Sequence, residues 1–215
     1  MPNCRGDQAK QNLVNNNKLV ILGRRNITQN NPVNCCCNNT ITTGQYYIFE
    51  ESNGNIFYTS KGCGRKILDL MNINVRIPLF DPLQNQIQGL GAGGAGGNDR
   101  VAGNNEVGHN LRNMTDLNKE VYLLIFLVCQ GCWDLDFPQR DPLRGLLSNL
   151  IKYPTNDIFD SKVTHINNIV GACNNINSIR DYINNEIVNN PNFVDFQFPL
   201  VNQIINDTNL NNNIN

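Results

Sequence analysis

Residues 45–72 read QYYIFEESNGNIFYTSKGCGRKILDLMN, and three consecutive signals in this stretch decide how the chain folds here. The runs QYYIFE (45–50) and NIFYTS (55–60) are aromatic and β-branched, which suits the pleated, half-buried surface of a strand. Between them, Glu51, Ser52, Asn53 and Gly54 contain an Asn-Gly pair, and both residues tolerate the positive φ of a type I′ turn. The two runs are therefore expected to pair as a hairpin. From Cys63 the period changes, because Ile67, Leu70 and Met71 recur at helical spacing on one face. A hairpin that runs into Gly62-Cys63-Gly64 and then a helix is the unit around which the remaining segments are arranged.

Upstream of the hairpin, Cys35, Cys36 and Cys37 are consecutive. Residues 18–22 (KLVIL) suit a buried strand that Gly23 stops. Residues 1–17 are polar and end in Asn15, Asn16 and Asn17, which predicts a flexible arm.

The order of a cysteine-bearing knuckle (35–37), a hairpin through Tyr46, Tyr47, Phe49, Phe57 and Tyr58, and a cysteine opening a helix (Cys63) resembles a treble-clef zinc finger over residues 34–71. The resemblance implies a zinc ion on Cys35, Cys37 and Cys63, locking hairpin and helix together where a small region lacks sufficient core of its own. The sequence departs from the family at two points. The knuckle's CxxC positions are filled by Asn34 with Cys37, or by Cys35 with Asn38, and the partner position of Cys63 on the first helical turn is Lys66. A fourth ligand would have to come from Cys4, Cys36, His109 or a partner chain. A metal-free version of the fold with small buried cysteines, and cysteine cross-linking, are the competing readings.

Downstream, residues 76–83 (RIPLFDPL) carry two prolines and read as an extended connector that docks through Leu79 and Phe80. Residues 89–97 (GLGAGGAGG) spell GxGxxG at Gly89, Gly91 and Gly94, but a phosphate loop needs a strong strand before it and a helix after it. Neither flank qualifies, so residues 76–113 are read as an extended and Gly-rich linker. Helical periodicity then takes over. Leu117, Val121, Leu124, Ile125, Val128 and Cys132 define a helix that is apolar nearly all round and so expected to be central, with Asp116 as its N-cap. Leu143, Leu146, Leu147, Leu150 and Ile151 form a second face. A third series from Val163 to Ile187 is expected to break at Asn174 and Asn175, and a short helix follows at residues 200–205. The predicted architecture is α+β: a flexible arm (1–17), a treble-clef-like module (18–75), the linker (76–113), a helical domain (114–205) and an Asn-rich tail (206–215).

Cys129 and Cys132 form a CxxC. Within a helix this spacing puts both sulfurs on one face, and burial in a bundle is the ordinary reading. A redox pair would need the motif to open a helix after a strand, and a further possibility is a second metal pair with Cys173 or His165. His109 and His165 are the chain's two histidines, and neither is placed as a positioned base. A catalyst is therefore not expected.

Composition narrows the remaining classes. Of 215 residues, 41 are asparagine and only 16% are charged, against roughly 25% in typical globular chains. Asparagine competes for backbone hydrogen bonds and settles in turns, caps and solvated surface, so the surface is expected to be polar and nearly neutral. With a net charge of −1, copies repel one another weakly, which favours self-association or packing in an assembly. Lysines and arginines are scattered, leaving nucleic-acid contact unsupported by charge except locally. The first ten residues lack a signal-like apolar core and the longest apolar run, 121–129, is about half a bilayer span, so the chain is expected to be free of membrane and not classically secreted. Its expected location is the cytoplasm or the interior of a virion or other particle. These readings converge on a non-enzymatic interaction or assembly protein with a zinc-stabilised N-terminal module, in which Tyr46 and Tyr58 offer exposed aromatic surface to a protein partner. Two alternatives stay open: a metal-free structural component of a virion or coat, and a thiol-disulfide enzyme using Cys129 and Cys132.

Overall fold

The hairpin forms where the two aromatic runs lie. In the computed structural model, which describes residues 2–27, 32–83, 111–139 and 141–215, strand β4 (Gln45–Glu50) pairs antiparallel with β5 (Ile56–Ser60). The connection is longer than the two-residue form expected of Asn-Gly. Residues 51–55 close it, with the Glu51 N–H donating to the Asn55 carbonyl at 2.9 Å, the Asn53 side chain accepting the Asn55 N–H, and Gly54 at φ +84°.

Strand β1 (Val20–Asn26) adds to the other side of β4, giving an antiparallel sheet in the order β1-β4-β5. Gly23 does not stop this strand. It sits inside it at an irregularity of register, because a Cβ there would run into the Phe126 ring. The glycine marks a close approach of helix to sheet. Strands β2 (Val33–Asn34) and β3 (Thr40–Ile41) form a separate ladder around the cysteine run.

Helix α2 (Lys61–Leu70) follows β5 directly, with the Ser60 hydroxyl accepting the Cys63 N–H at 3.4 Å as its N-cap. Gly64 lets it lie close on the sheet, since a Cβ would come within 2.6 Å of Thr59 Oγ1 and also press on Tyr47. Residues expected to be a flexible arm contain helix α1 (Asp7–Asn16), which packs on α2 and buries Lys10 and Leu13. Its polar sequence hid it: one buried leucine and an Asp7–Lys66 ion pair at 2.9 Å are long-range docking contacts, invisible as local periodicity.

Helix α3 (Asp116–Trp133) is the centre of the helical part, and every residue from Val121 to Cys129 is buried. Thr115, rather than Asp116, is its N-cap, accepting the Asn118 N–H at 3.3 Å. Around it lie α4 (Asp141–Lys152), α5 (Asp160–Gly171), α6 (Ile179–Asn189) and α7 (Pro199–Asp207). The long apolar series does break at its asparagines, between α5 and α6.

Sheet and helices share one core. Phe80, from the proline-bearing connector, stacks on Phe126 at 4.9 Å and on Phe196 at 5.9 Å, and the Tyr122 hydroxyl accepts the Arg24 N–H at 3.3 Å. Arg144 of α4 meets Glu50 of β4 at 2.7 Å. Buried polar side chains fix the connections. Asn118, fully buried, donates to the Pro154 and Asn156 carbonyls at 3.2 and 2.8 Å and accepts the Ile158 N–H at 2.9 Å. Asn167, equally buried, donates to the Asn211 carbonyl and accepts the Asn213 N–H, both at 2.8 Å. The Glu120 carboxylate accepts the first N–H groups of α7, from Leu200 and Val201, at 3.0 and 3.1 Å. The Asn-rich tail packs too: Ile214 is buried, and its carbonyl accepts the Arg180 N–H at 3.0 Å. No helix among the described residues is long and apolar enough to cross a membrane. The GxGxxG and His109 lie outside the described residues.

Candidate metal centre

Three chain segments bring cysteines to one point. The knuckle is set by backbone bonds: the Cys35 N–H donates to the Asn39 carbonyl at 2.8 Å, and Asn38 takes the left-handed conformation at φ +64°. The knuckle is then tied to the edge of β5, where the Cys36 N–H donates to the Tyr58 carbonyl at 2.8 Å. Cys63 arrives from the first turn of α2, and Cys4 from the segment before α1, its N–H donating to the Cys36 carbonyl at 3.0 Å.

The Sγ atoms of Cys4, Cys35 and Cys63 all lie within 4.8 Å of one another. Four thiolates around a zinc ion at about 2.3 Å are separated from each other by roughly 3.8 Å, so the three sulfurs need to move by only about an ångström to share an ion. Cys37 lies beside this group rather than within it, its Sγ donating a hydrogen bond to Cys35 Sγ at 3.0 Å and interacting with Cys63. An all-sulfur donor set suits a soft or borderline ion such as zinc and not magnesium or calcium. The Ser60 N–H donates to Cys35 Sγ at 3.4 Å, a contact of the kind that orients a metal-bound thiolate.

Electrostatics divide the pair at the knuckle. Burial, with the neighbouring Cys37, pushes the Cys35 thiol up. Burial also opposes ionisation of Cys37, but hydrogen bonds from Cys35, the Asn39 backbone and Cys63 outweigh it and hold this thiol below its ordinary value. Cys37 is therefore the more readily ionised of the two. Lys66, one turn on from Cys63 on α2, is paired with Asp7. The structure has Cys4 bonded to Cys36 in a disulfide, with Cys35, Cys37 and Cys63 as free thiols. All five N-terminal cysteines named from the sequence thus meet, and Cys4 is grouped with Cys35 and Cys63, where the sequence left several sources for a fourth ligand.

The other candidate residues are elsewhere. Cys129 and Cys132 lie within α3, where burial pushes both thiols up, Cys129 to about 12. Cys132 also shares a hydrogen bond with Cys173. Buried thiols with raised pKa make poor nucleophiles. Tyr46 and Tyr58, expected as exposed aromatics, are half-buried and meet edge to face at 5.7 Å. They line a cavity of about 200 Å³ with Arg25 and Asp136, which are paired at 2.7 Å. A concavity of about 440 Å³, with Ile21, Val75 and Ile151 below and Arg112 and Lys152 on its rim, had no local sequence signal.

The order of knuckle, hairpin and helix is present, and its cysteine cluster has the spacing to hold a metal ion, but the comparisons identify no zinc-finger family. No curated protein and no solved structure matches the chain. Residues 2–211, essentially the whole of the fold and all five clustered cysteines, match the family described as Uncharacterised conserved protein UCP028583, and the chain belongs to that family.

Proposed function

We propose that this is a non-enzymatic interaction or assembly protein whose N-terminal module is fastened by a zinc ion on Cys4, Cys35, Cys37 and Cys63. One observation carries the reading: sulfurs from three segments far apart in sequence converge within 4.8 Å, with Cys37 in hydrogen-bond contact with two of them. A structural zinc closes loops that the local core does not: beside these sulfurs, α1 is held on α2 by Leu13 and the Asp7–Lys66 ion pair, and the knuckle is held by a few backbone bonds. The near-neutral, asparagine-rich chain supports the assembly half of the proposal, because weak repulsion between copies lowers the cost of packing them together.

Metal analysis of protein purified under reducing conditions without added zinc tests the metal. About one zinc per chain is expected, falling below about 0.2 in Cys63→Ala, as for a structural site that has lost one thiolate. A native reduced protein with less than about 0.2 zinc per chain removes the reading. Light scattering across the micromolar range tests self-assembly, for which the expected result is a mass above that of one chain at the highest concentration.

A further inference from the structure

We infer that Cys4 works in two exclusive states, so that the Cys4–Cys36 disulfide and the metal site of the preceding proposal cannot coexist and thiol-disulfide exchange loads or empties the site. The inference rests on the metal reading and adds its regulation. Cys4 has one sulfur. In the structure that sulfur is bonded to Cys36, yet it also lies within 4.8 Å of the sulfurs of Cys35 and Cys63. As half of a disulfide it cannot donate a thiolate; once reduced it can.

What makes this a switch is that Cys4 is held in place by more than its disulfide. Its N–H donates to the Cys36 carbonyl at 3.0 Å, and Cys36 is itself tied to Tyr58. Three residues on, Asp7 pairs with Lys66 of α2 at 2.9 Å, and α1 packs on α2. These contacts survive reduction, so the freed Cys4 thiol stays beside both Cys36 and the would-be ligands. Cys4 and Cys36 are fully buried, whereas Cys37 and Cys63 are half-exposed and give a reagent its way in.

The chemistry balances with a small dithiol as reductant and a small disulfide as oxidant. On reduction the Cys4–Cys36 S–S bond breaks, the dithiol closes to its own disulfide, and its two protons end on the Cys4 and Cys36 sulfurs. Zinc then displaces one proton from each of Cys4, Cys35, Cys37 and Cys63. In the reverse direction a disulfide RSSR forms a mixed disulfide with an exposed cysteine and releases one RSH. Exchange passes this bond inward until Cys36 closes on Cys4 and the second RSH departs; Cys36 supplies one of the two protons and water the other, because Cys4 gave up its own on binding zinc. The ion is left with three protein ligands.

The full-length chain is reduced, loaded with one equivalent of zinc, and moved into glutathione buffers from fully reduced to fully oxidised. Zinc release is followed with a chromogenic chelator, and the disulfides are mapped by alkylation and mass spectrometry. Zinc loss and appearance of the Cys4–Cys36 disulfide should rise together, and Cys36→Ser should release zinc about tenfold more slowly in oxidised buffer because the resolving thiol is gone. Cys132→Ser should behave as the parent. Zinc that stays bound while the Cys4–Cys36 disulfide forms overturns the inference and leaves the metal reading standing, as does zinc that leaves while both thiols still alkylate. A reduced parent chain that takes up no zinc overturns the metal reading itself, and the switch with it. Should Cys36→Ser fail to fold, the coincidence of the two signals in the parent decides the matter.

Discussion

The chain has cysteines in two settings, and the contrast explains how its two halves are held. At the sheet end, Cys4, Cys35, Cys36, Cys37 and Cys63 come from separate segments and meet sulfur to sulfur, with polar backbone groups around them. At the helical end, Cys129 and Cys132 sit on one helix and are buried among apolar neighbours. The first group cross-links through the Cys4–Cys36 disulfide and, in the function proposed above, through metal; the second is packing volume. The difference follows from the core. Helix α3 is wrapped by four other helices and the sheet, whereas the knuckle and N-terminal segment are held by short ladders, backbone bonds, the Asp7–Lys66 ion pair and one buried leucine of α1.

The largest effect is expected on the helical side. Phe126 touches Phe80, Tyr122 and the backbone at Gly23, so Phe126→Ala should cost about 3–5 kcal/mol in urea unfolding, with the same cost in reducing and oxidising buffer. A cost that depends on redox state would mean that the two halves are not held by different means. On the sheet side, Cys4→Ser removes a disulfide spanning 32 residues, for which chain entropy predicts a loss of roughly 3–4 kcal/mol in oxidising, metal-free buffer. Under reducing, metal-free conditions that loss should nearly vanish, and hydrogen exchange should place the loosening in α1 and the knuckle while α3 stays protected. A uniform loss of protection across α3 would count against the division.

The smallest effect is on pH dependence. Burial raises the Cys129 thiol from an ordinary 9.0 to about 12. The folded state therefore keeps a proton that the unfolded chain releases, so this group's contribution is complete below pH 9 and declines as pH rises from 9 toward 12. Urea unfolding of the parent at pH 8 to 10.5 should show a decline to which Cys132 also contributes, and Cys129→Ala should make it shallower. An identical slope in the variant would place the titrating group elsewhere.

Much of the architecture was readable from local pattern. The hairpin, α2 and the all-apolar α3 carry periodicities that neighbouring residues impose on themselves, and the order of knuckle, hairpin and helix was visible from residues 34–71. The site was legible in part. Cys35, Cys37 and Cys63 could be named because they flank those elements, but the sequence left Cys4 as one of several sources for a fourth ligand. Helix α1 and the Cys4 contact depend on docking between residues separated by 32 and 59 positions, and no local signal records that. Gly23 was misread for the same reason, since what requires a glycine there is Phe126, more than a hundred residues away.

Asparagine draws the same line most clearly. Sequence alone dictates that 41 asparagines replace much of the usual charge, and that the hairpin and the outer helices have apolar faces while α3 is apolar all round. It could not tell a solvated asparagine from Asn118 or Asn167, which are fully buried and close two connections by acting as backbone surrogates. An amide offers both a donor and an acceptor, so its role is set by which unpaired backbone groups the fold brings to it. Local preference is written along the chain. Which carbonyl, amide or sulfur an asparagine or cysteine meets is decided only when distant segments pack.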